Sequence, residues 1–304
     1  MVSRRQVLPW AAIPILPGPL LPGPLRPAKS GPVSLSLGNY GMPMMPVDRA
    51  LAVIREIGYD GAELCLMAGW PSEPAKLDAA ARRRIRQQGL PIPSMIENLN
   101  LLVSDADHAL TLNRIRLAAA LAHDISPKKP PLLQSVLGGK PLEWEQVKHR
   151  MAARLADWAR VARENRIELA VKSHIGSASD TPQKLIWLLD QVNSPGLSAI
   201  YDYSHFQLLD LDLQASLETL LPRSSFVTVK DGQLVDGKPQ FLLPGTGTID
   251  YAKYFALLKT KGYRGWMLVE ISRQLQTSPG FDAIGAARKS YENLSPRLRA
   301  AGLR

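Results

Sequence analysis

Residues 168–202 read ELAVKSHIGSASDTPQKLIWLLDQVNSPGLSAIYD and hold one complete strand–helix–strand unit. Leu169-Ala170-Val171 and Leu197-Ser198-Ala199-Ile200-Tyr201 are short apolar runs, each closing on a charged side chain, Lys172 and Asp202. Between them, Asp180-Thr181-Pro182 sets a capping residue and a helix-initiating proline ahead of an amphipathic stretch over 181–192. A short strand, a crossover helix and a second short strand are what parallel pairing requires.

The same unit recurs outward in both directions. Candidate strands fall at 33–37, 62–66, 93–97, 132–136, 168–172, 197–201, 226–230 and 266–270, with helical stretches near 47–58, 76–89, 106–122, 143–165, 181–192, 213–221, 250–262 and 281–300. Gly58, Gly89 and Gly262 each follow a helical stretch, where a left-handed residue ends a helix. Eight units predict an α/β fold, a single-domain (β/α)₈ TIM barrel over 31–304, with the functional site at the C-terminal strand ends. No G-x-G-x-x-G follows the first strand, which argues against a dinucleotide-binding open sheet.

Composition narrows the function. Hydrophobic residues at 45% and charged residues at 21% describe a chain with a sizeable core. The single cysteine, Cys65, excludes an intramolecular disulfide and a Cys-based zinc site, and its apolar neighbours predict a buried structural thiol. The net charge of +10 falls to +6 once Arg4, Arg5, Arg26 and Lys29 of the extension are set aside. The densest basic run, Arg82, Arg83, Arg84 and Arg86, has no interleaved aromatic residues and reads as a solvated helix face, so no nucleic-acid partner is expected.

Residues 1–30 precede the barrel. Ser3-Arg4-Arg5-Gln6-Val7-Leu8 resembles a twin-arginine signal peptide and is followed by an uncharged apolar stretch and a Pro-rich linker. Six prolines between Pro9 and Pro24 exclude a stable membrane span. Tat export to a periplasmic or other extracytoplasmic location is expected, with a cytoplasmic protein bearing a Pro-rich tail as the alternative.

Polar residues gather at the predicted strand ends. Glu97 and Asn98 follow the third strand; Lys172, Ser173 and His174 close the fifth; Asp202 and His205 follow the sixth; Thr228, Lys230 and Asp231 close the seventh; Glu270 closes the eighth. Their recurrence at one end of successive strands predicts a shared site. Glu270, Lys172, His174 and His205 are the expected catalytic residues, and Glu97, Asn98, Asp202, Lys230 and Asp231 the expected substrate-binding residues. Trp70 and Phe206 could stack on a sugar face or serve in packing.

Several of these segments carry a family resemblance. Tyr201-Asp202-Tyr203-Ser204-His205-Phe206, Val227-Thr228-Val229-Lys230-Asp231, Gly245-Thr246-Gly247-Thr248-Ile249-Asp250, Gly262-Tyr263-Arg264-Gly265 and Val269-Glu270 resemble the second half of the xylose isomerase-like sugar isomerases and epimerases, and Gly58-Tyr59-Asp60-Gly61-Ala62-Glu63-Leu64 extends the likeness toward the N-terminus. The resemblance implies a divalent metal, often Mn²⁺ or Mg²⁺, held by Glu, Asp, His and Glu at the ends of strands five to eight. Asp202 and Glu270 match two of those positions; Lys172 stands where the family has Glu, and Thr228 where it has His. An ammonium in the metal cavity repels a divalent ion, so the expectation is a site without the metal, with Lys172 paired to Asp202 and Glu270; a retained metal held by Asp202, Glu270 and His174 or His205 is the alternative.

Two functions follow. One is proton abstraction from a ketose, aldose or keto-glycoside, by an isomerase, epimerase or related lyase in carbohydrate metabolism: Glu270 moves the carbon-bound proton, Lys172 stabilises the enediolate, and His174 or His205 serves the neighbouring hydroxyl. The other is an extracytoplasmic carbohydrate-binding pseudoenzyme with a degenerate metal site. The partner in both is a small-molecule carbohydrate.

Overall fold

The computed structural model describes residues 31–304. The twin-arginine-like segment expected over 1–30 lies outside the described residues. Eight parallel strands close into a barrel: β1 (Ser34–Gly38), β2 (Gly61–Cys65), β3 (Ser94–Ile96), β4 (Leu132–Ser135), β5 (Leu169–Lys172), β6 (Leu197–Asp202), β7 (Ser224–Val229) and, after a two-stranded excursion of β8 (Asp231–Val235) and β9 (Lys238–Leu242), β10 (Trp266–Val269). β10 pairs with both β1 and β7, in registers such as Leu37 with Val269 and Leu268 with Thr228.

The crossovers carry α1 (Val47–Ile57), α2 (Ala79–Gln87), α3 (Asp105–Ile125), α4 (Trp144–Glu164), α5 (Pro182–Val192), α6 (Tyr203–Gln207), α7 (Leu213–Leu220), α8 (Tyr251–Thr260), α9 (Arg273–Gln276) and α10 (Ala283–Ala300). Thr181 caps α5 by accepting from Lys184 N–H, with Pro182 in its first turn, as the opening stretch of sequence predicts. Gly58 ends α1 at φ 109°, a conformation that glycine adopts without a Cβ clash.

Alternation along the strands divides the core in two. Leu35, Leu37, Leu64, Leu133, Leu169 and Val171 point outward and are fully buried under the helices. Ala170, Ile200, Phe226 and Leu268 point inward and plug the barrel below the strand ends. Each large apolar side chain withdrawn from water contributes roughly 1.5–3 kcal/mol, so this plug fixes the floor beneath the polar residues. Val33 N–H donates to Leu303 O at 2.6 Å, tying the two ends of the described chain together.

The expected placement of Glu97 and Asn98 needs correction. In β3, Ser94 bonds Glu63 on the inner face, so alternation turns Glu97 outward to Arg114 of α3, and Asn98 is exposed beside it. The stretch after the seventh strand forms the β8–β9 hairpin, whose Asp236-Gly237 turn has φ of 51° and 72°. Positive φ at both central residues is the hairpin turn that Asp-Gly favours.

Candidate active site

Burying a lysine costs several kcal/mol unless its ammonium is fully paired, and this barrel buries two side by side. Lys172, the last residue of β5, donates from Nζ to Asp202 Oδ2 at 3.2 Å and to Glu270 Oε2 at 2.6 Å. Lys230, one residue past β7, donates to the same Asp202 Oδ2 at 2.6 Å and lies 2.9 Å from Glu270 Oε1. Asp202 Oδ1 accepts from Ser204 Oγ at 2.6 Å. Two cations and two anions thus form a closed, neutral quartet in which every carboxylate oxygen has a donor.

The electrostatics follow from that arrangement. Burial works against ionisation of Asp202 and Glu270, but the two ammoniums outweigh it and hold both carboxylates below their usual range. Burial pulls the Lys172 ammonium down, and Glu270 and Asp202 more than offset it, leaving it above its ordinary value.

Two histidines cover the quartet with their rings 4.1 Å apart. His205 Nε2 lies 3.1 Å from Lys230 Nζ and 3.4 Å from Asp202 Oδ2. His174 donates from Nδ1 to Ile175 O at 2.6 Å, which fixes its tautomer and leaves the Nε2 lone pair free. Burial, reinforced by Lys172 and Lys230, brings His174 down to about 4. Burial and Lys230 push His205 well below its usual value. Both imidazoles are therefore neutral at physiological pH.

Above this floor opens a pocket of about 420 Å³, lined by Lys230, Glu270, His174, Tyr40, Phe241 and the 272–277 turn. Phe241 comes from β9 and sits 5.1 Å from the His205 ring and 5.2 Å from Lys230 Nζ. Gln274 clamps the hairpin in place, accepting from Phe241 N–H at 2.7 Å and donating to Pro239 O at 3.0 Å. Tyr40 stacks on Trp70 at 5.5 Å, and its phenol is pushed up to about 12 by burial and by Glu270.

Of the nine expected catalytic and substrate-binding residues, Lys172, Asp202, His174, His205, Lys230 and Glu270 converge here; three do not. Glu97 is held by Arg114, whose Nη2 lies 2.5 Å from Glu97 Oε2 and whose Nε lies 3.0 Å from the same oxygen, so it serves as a strut between the β3 end and α3. Asn98 is exposed beside it. Asp231 is not aimed at the pocket: its carboxylate accepts from Gly245 N–H at 2.6 Å and Ile249 N–H at 3.2 Å and shapes the loop leading to α8. Phe206 is buried against the Tyr201 ring, a packing role.

Other participants had weaker signals. Lys230 was expected to contact substrate, but not to mirror Lys172; its signal was the inward side of Phe226 and Thr228, which it continues. Glu63 lies on the inner face of β2, accepting from Ser94 Oγ at 2.8 Å and from Gln134 Nε2, and burial raises it to about 7. A lone acid within the apolar run of β2 was its signal. Thr228 Oγ1, fully buried in the barrel, has no hydrogen-bond partner among the described residues.

The set does not fit a divalent metal. Three of the four carboxylate oxygens already accept from ammoniums and the fourth from Ser204, and Thr228 offers only a hydroxyl where an imidazole is required. Among the described residues no group of three or more His, Cys, Asp or Glu is disposed to hold a metal ion. No helix among them is long and apolar enough to cross a membrane.

Comparison with known proteins agrees with this architecture. A family described as xylose isomerase-like TIM barrel matches residues 51–295. An inosose dehydratase of Yersinia enterocolitica is 27% identical over 165 residues, 48% of this chain and 54% of that protein. The inosose dehydratase of Mesomycoplasma hyopneumoniae is 23% identical over 251 residues, 73% of this chain and 80% of that protein. The chain spans about half the length of the Yersinia relative. Among solved structures, the 3-keto-D-glucoside 4-epimerase of E. coli superposes with a TM-score of 0.67 at 15% identity, covering 88% of this chain and 99% of that one.

Proposed function

The chain belongs to the xylose isomerase-like TIM-barrel family, and from that premise we propose that it is a carbohydrate isomerase, epimerase or related lyase that moves a carbon-bound proton beside a sugar carbonyl without a divalent metal. The observation that carries the reading is the quartet: Lys172 and Lys230 occupy the hydrogen-bonding positions around Asp202 and Glu270 that a metal would need.

The chemistry assigns roles by charge. Removing a proton next to a carbonyl builds negative charge on the carbonyl oxygen, and a preorganised cation in a dry site stabilises that charge. Lys230 lines the pocket and supplies it through its charge, its three N–H donors being taken by Asp202, Glu270 and His205, with Lys172 beneath holding Glu270 in place. Glu270, expected from sequence to be the base, is a poor proton acceptor while both its oxygens accept from ammoniums. His174 is better suited, being neutral with a free Nε2 and a fixed tautomer. Glu270 and Asp202 then act as the anionic frame that keeps two ammoniums together. Names among the relatives, an inosose dehydratase and a 3-keto-D-glucoside epimerase, support a keto-activated substrate, whose acidified carbon–hydrogen bond needs less help than a metal gives. The Arg4-Arg5 segment supports action outside the cytoplasm.

Incubating keto sugars and keto-glycosides with the protein in D₂O tests the proposal. Carbon-bound deuterium beside the carbonyl is the expected result. A sugar that binds tightly and never exchanges would instead support a carbohydrate-binding module.

A further inference from the structure

The pocket carries an unbalanced positive charge, and its imbalance has a location. The quartet is neutral and the two imbedded imidazoles are uncharged, so the charge left over belongs to Arg273 at the rim. Arg273 has no ion pair among the described residues; its guanidinium rests over the Trp70 ring at 5.5 Å. An arginine parked on an aromatic face keeps its fork of N–H donors free in the ring plane.

A second observation is independent of charge. Ser272, next to Arg273 and lining the same pocket, is only 7% exposed, and its Oγ has no hydrogen-bond partner among the described residues. Ser272 precedes α9, yet its side chain does not cap that helix. A buried hydroxyl left unpaired costs about 1–3 kcal/mol, and at the wall of this pocket an acceptor brought by the ligand would relieve that cost.

We propose that Ser272 and Arg273 form a carboxylate subsite, and that the substrate is a sugar acid, with its carbonyl end in the field of Lys230 and its carboxylate at the 272–273 turn. The proposal rests on the carbohydrate reading above and narrows it. A single negative charge neutralises the pocket, and one hydroxyl with one guanidinium fork matches the two oxygens of a carboxylate. A phosphate monoester, with nearly twice the charge and three oxygens to satisfy, would leave acceptors without donors. The acidic oxygens of the quartet would not repel the ligand, because each already accepts from a cation or a hydroxyl.

The test is calorimetric binding of matched pairs to the full chain: glucose, galactose, fructose and tagatose beside glucuronate, galacturonate, fructuronate and tagaturonate, with glucose 6-phosphate and fructose 6-phosphate as a third arm. At least one uronate should bind about tenfold tighter than its neutral partner. Arg273→Ala should narrow that gap to within about threefold, Arg273→Lys should restore only part of it because an ammonium lacks the planar fork, and Ser272→Ala should reduce the uronate's advantage alone. Arg273 is exposed, so its substitution leaves the fold intact. The proposal is overturned if no uronate outbinds its neutral partner, whether through equal binding or none, if a sugar phosphate is preferred, or if Arg273→Ala leaves the gap unchanged. Deuterium exchange is read separately: a uronate preference without exchange rejects the isomerase reading and keeps the subsite, whereas exchange on neutral sugars without preference does the reverse.

Discussion

Converting Lys172 to Glu and Thr228 to His in the same chain should create a metal site. In the parent protein Lys172 Nζ is shared between Asp202 and Glu270 at 3.2 and 2.6 Å. Replacing it by a carboxylate removes one buried cation and adds an anion, leaving Lys230 as the sole counter-ion to three acids. Breaking a buried pair costs about 3–5 kcal/mol, which for a domain of this size lowers Tm by roughly 8 °C at about 2 °C per kcal/mol. Thr228 is opposite Asp202 in the β6–β7 register, and the shorter side chain at 172 frees room for an imidazole there. Manganese at about 100 times its Kd would then return about 2.7 kcal/mol, a rise of roughly 5 °C. The assay is thermal unfolding of parent and double variant with EDTA, then with added MnCl₂, and metal content after gel filtration. The parent should not respond. A parent stabilised by manganese as much as the variant, or a folded variant that ignores the metal, refutes the reasoning.

Other expectations concern protons. Glu63→Gln should gain stability relative to the parent as pH rises: the folded-state value of about 7 exceeds that of an exposed Glu, so the native state holds a proton that the unfolded chain releases, and the penalty grows between about 4.5 and 7 to a few kcal/mol before levelling off. Urea unfolding at pH 5 and pH 8 measures it, and an equal difference at both refutes it. Asp202, Glu270, His174 and His205 act in the opposite direction. Their folded values are depressed, so stability falls with acidification, first below about 6.5 as unfolded histidines take up protons and further below about 4 as carboxylates do. His174→Gln should slow deuterium exchange at least about 100-fold while sugar affinity stays within about threefold, and the parent's exchange should hold from pH 8 to about 5 and decline toward His174's value of about 4. Kinetics of exchange with bound sugar at saturation separate the two effects.

The fold was legible because its information is periodic. Each apolar run followed by a capped amphipathic stretch, such as Leu169–Lys172 before Thr181-Pro182, repeats a unit whose neighbours are also strands, so an error in one does not propagate. The end of β5 was legible too, because Lys172 continues the inward parity of Ala170. Past β7 and β10 the parity still holds at Lys230, after Phe226 and Thr228, and at Glu270, after Leu268. Lys230 continues the inward side of Phe226 and Thr228 toward Glu270, while Asp231, on the other side, turns to the amides of 245–249. Glu97 does not join the site because alternation with Ser94 turns it outward, where Arg114 from the following helix captures its carboxylate. The hairpin bringing Phe241 over the histidines carried a local Asp-Gly turn signal, but its partner across the pocket, Gln274, lies 33 residues away. Ser272 and Arg273 show as unpaired only once the surrounding donors and acceptors are in place.

In the proposed function an ammonium pair does the work of a metal. This is tested most directly by measuring deuterium incorporation into a keto sugar after the protein has been dialysed against EDTA to below about 0.05 metal ions per chain, beside the same sample resupplied with Mn²⁺, Mg²⁺ or Zn²⁺. The account predicts equal rates before and after resupply, and loss of exchange in Lys230→Met under both conditions. Exchange that vanishes with the metal and returns with it would contradict the account.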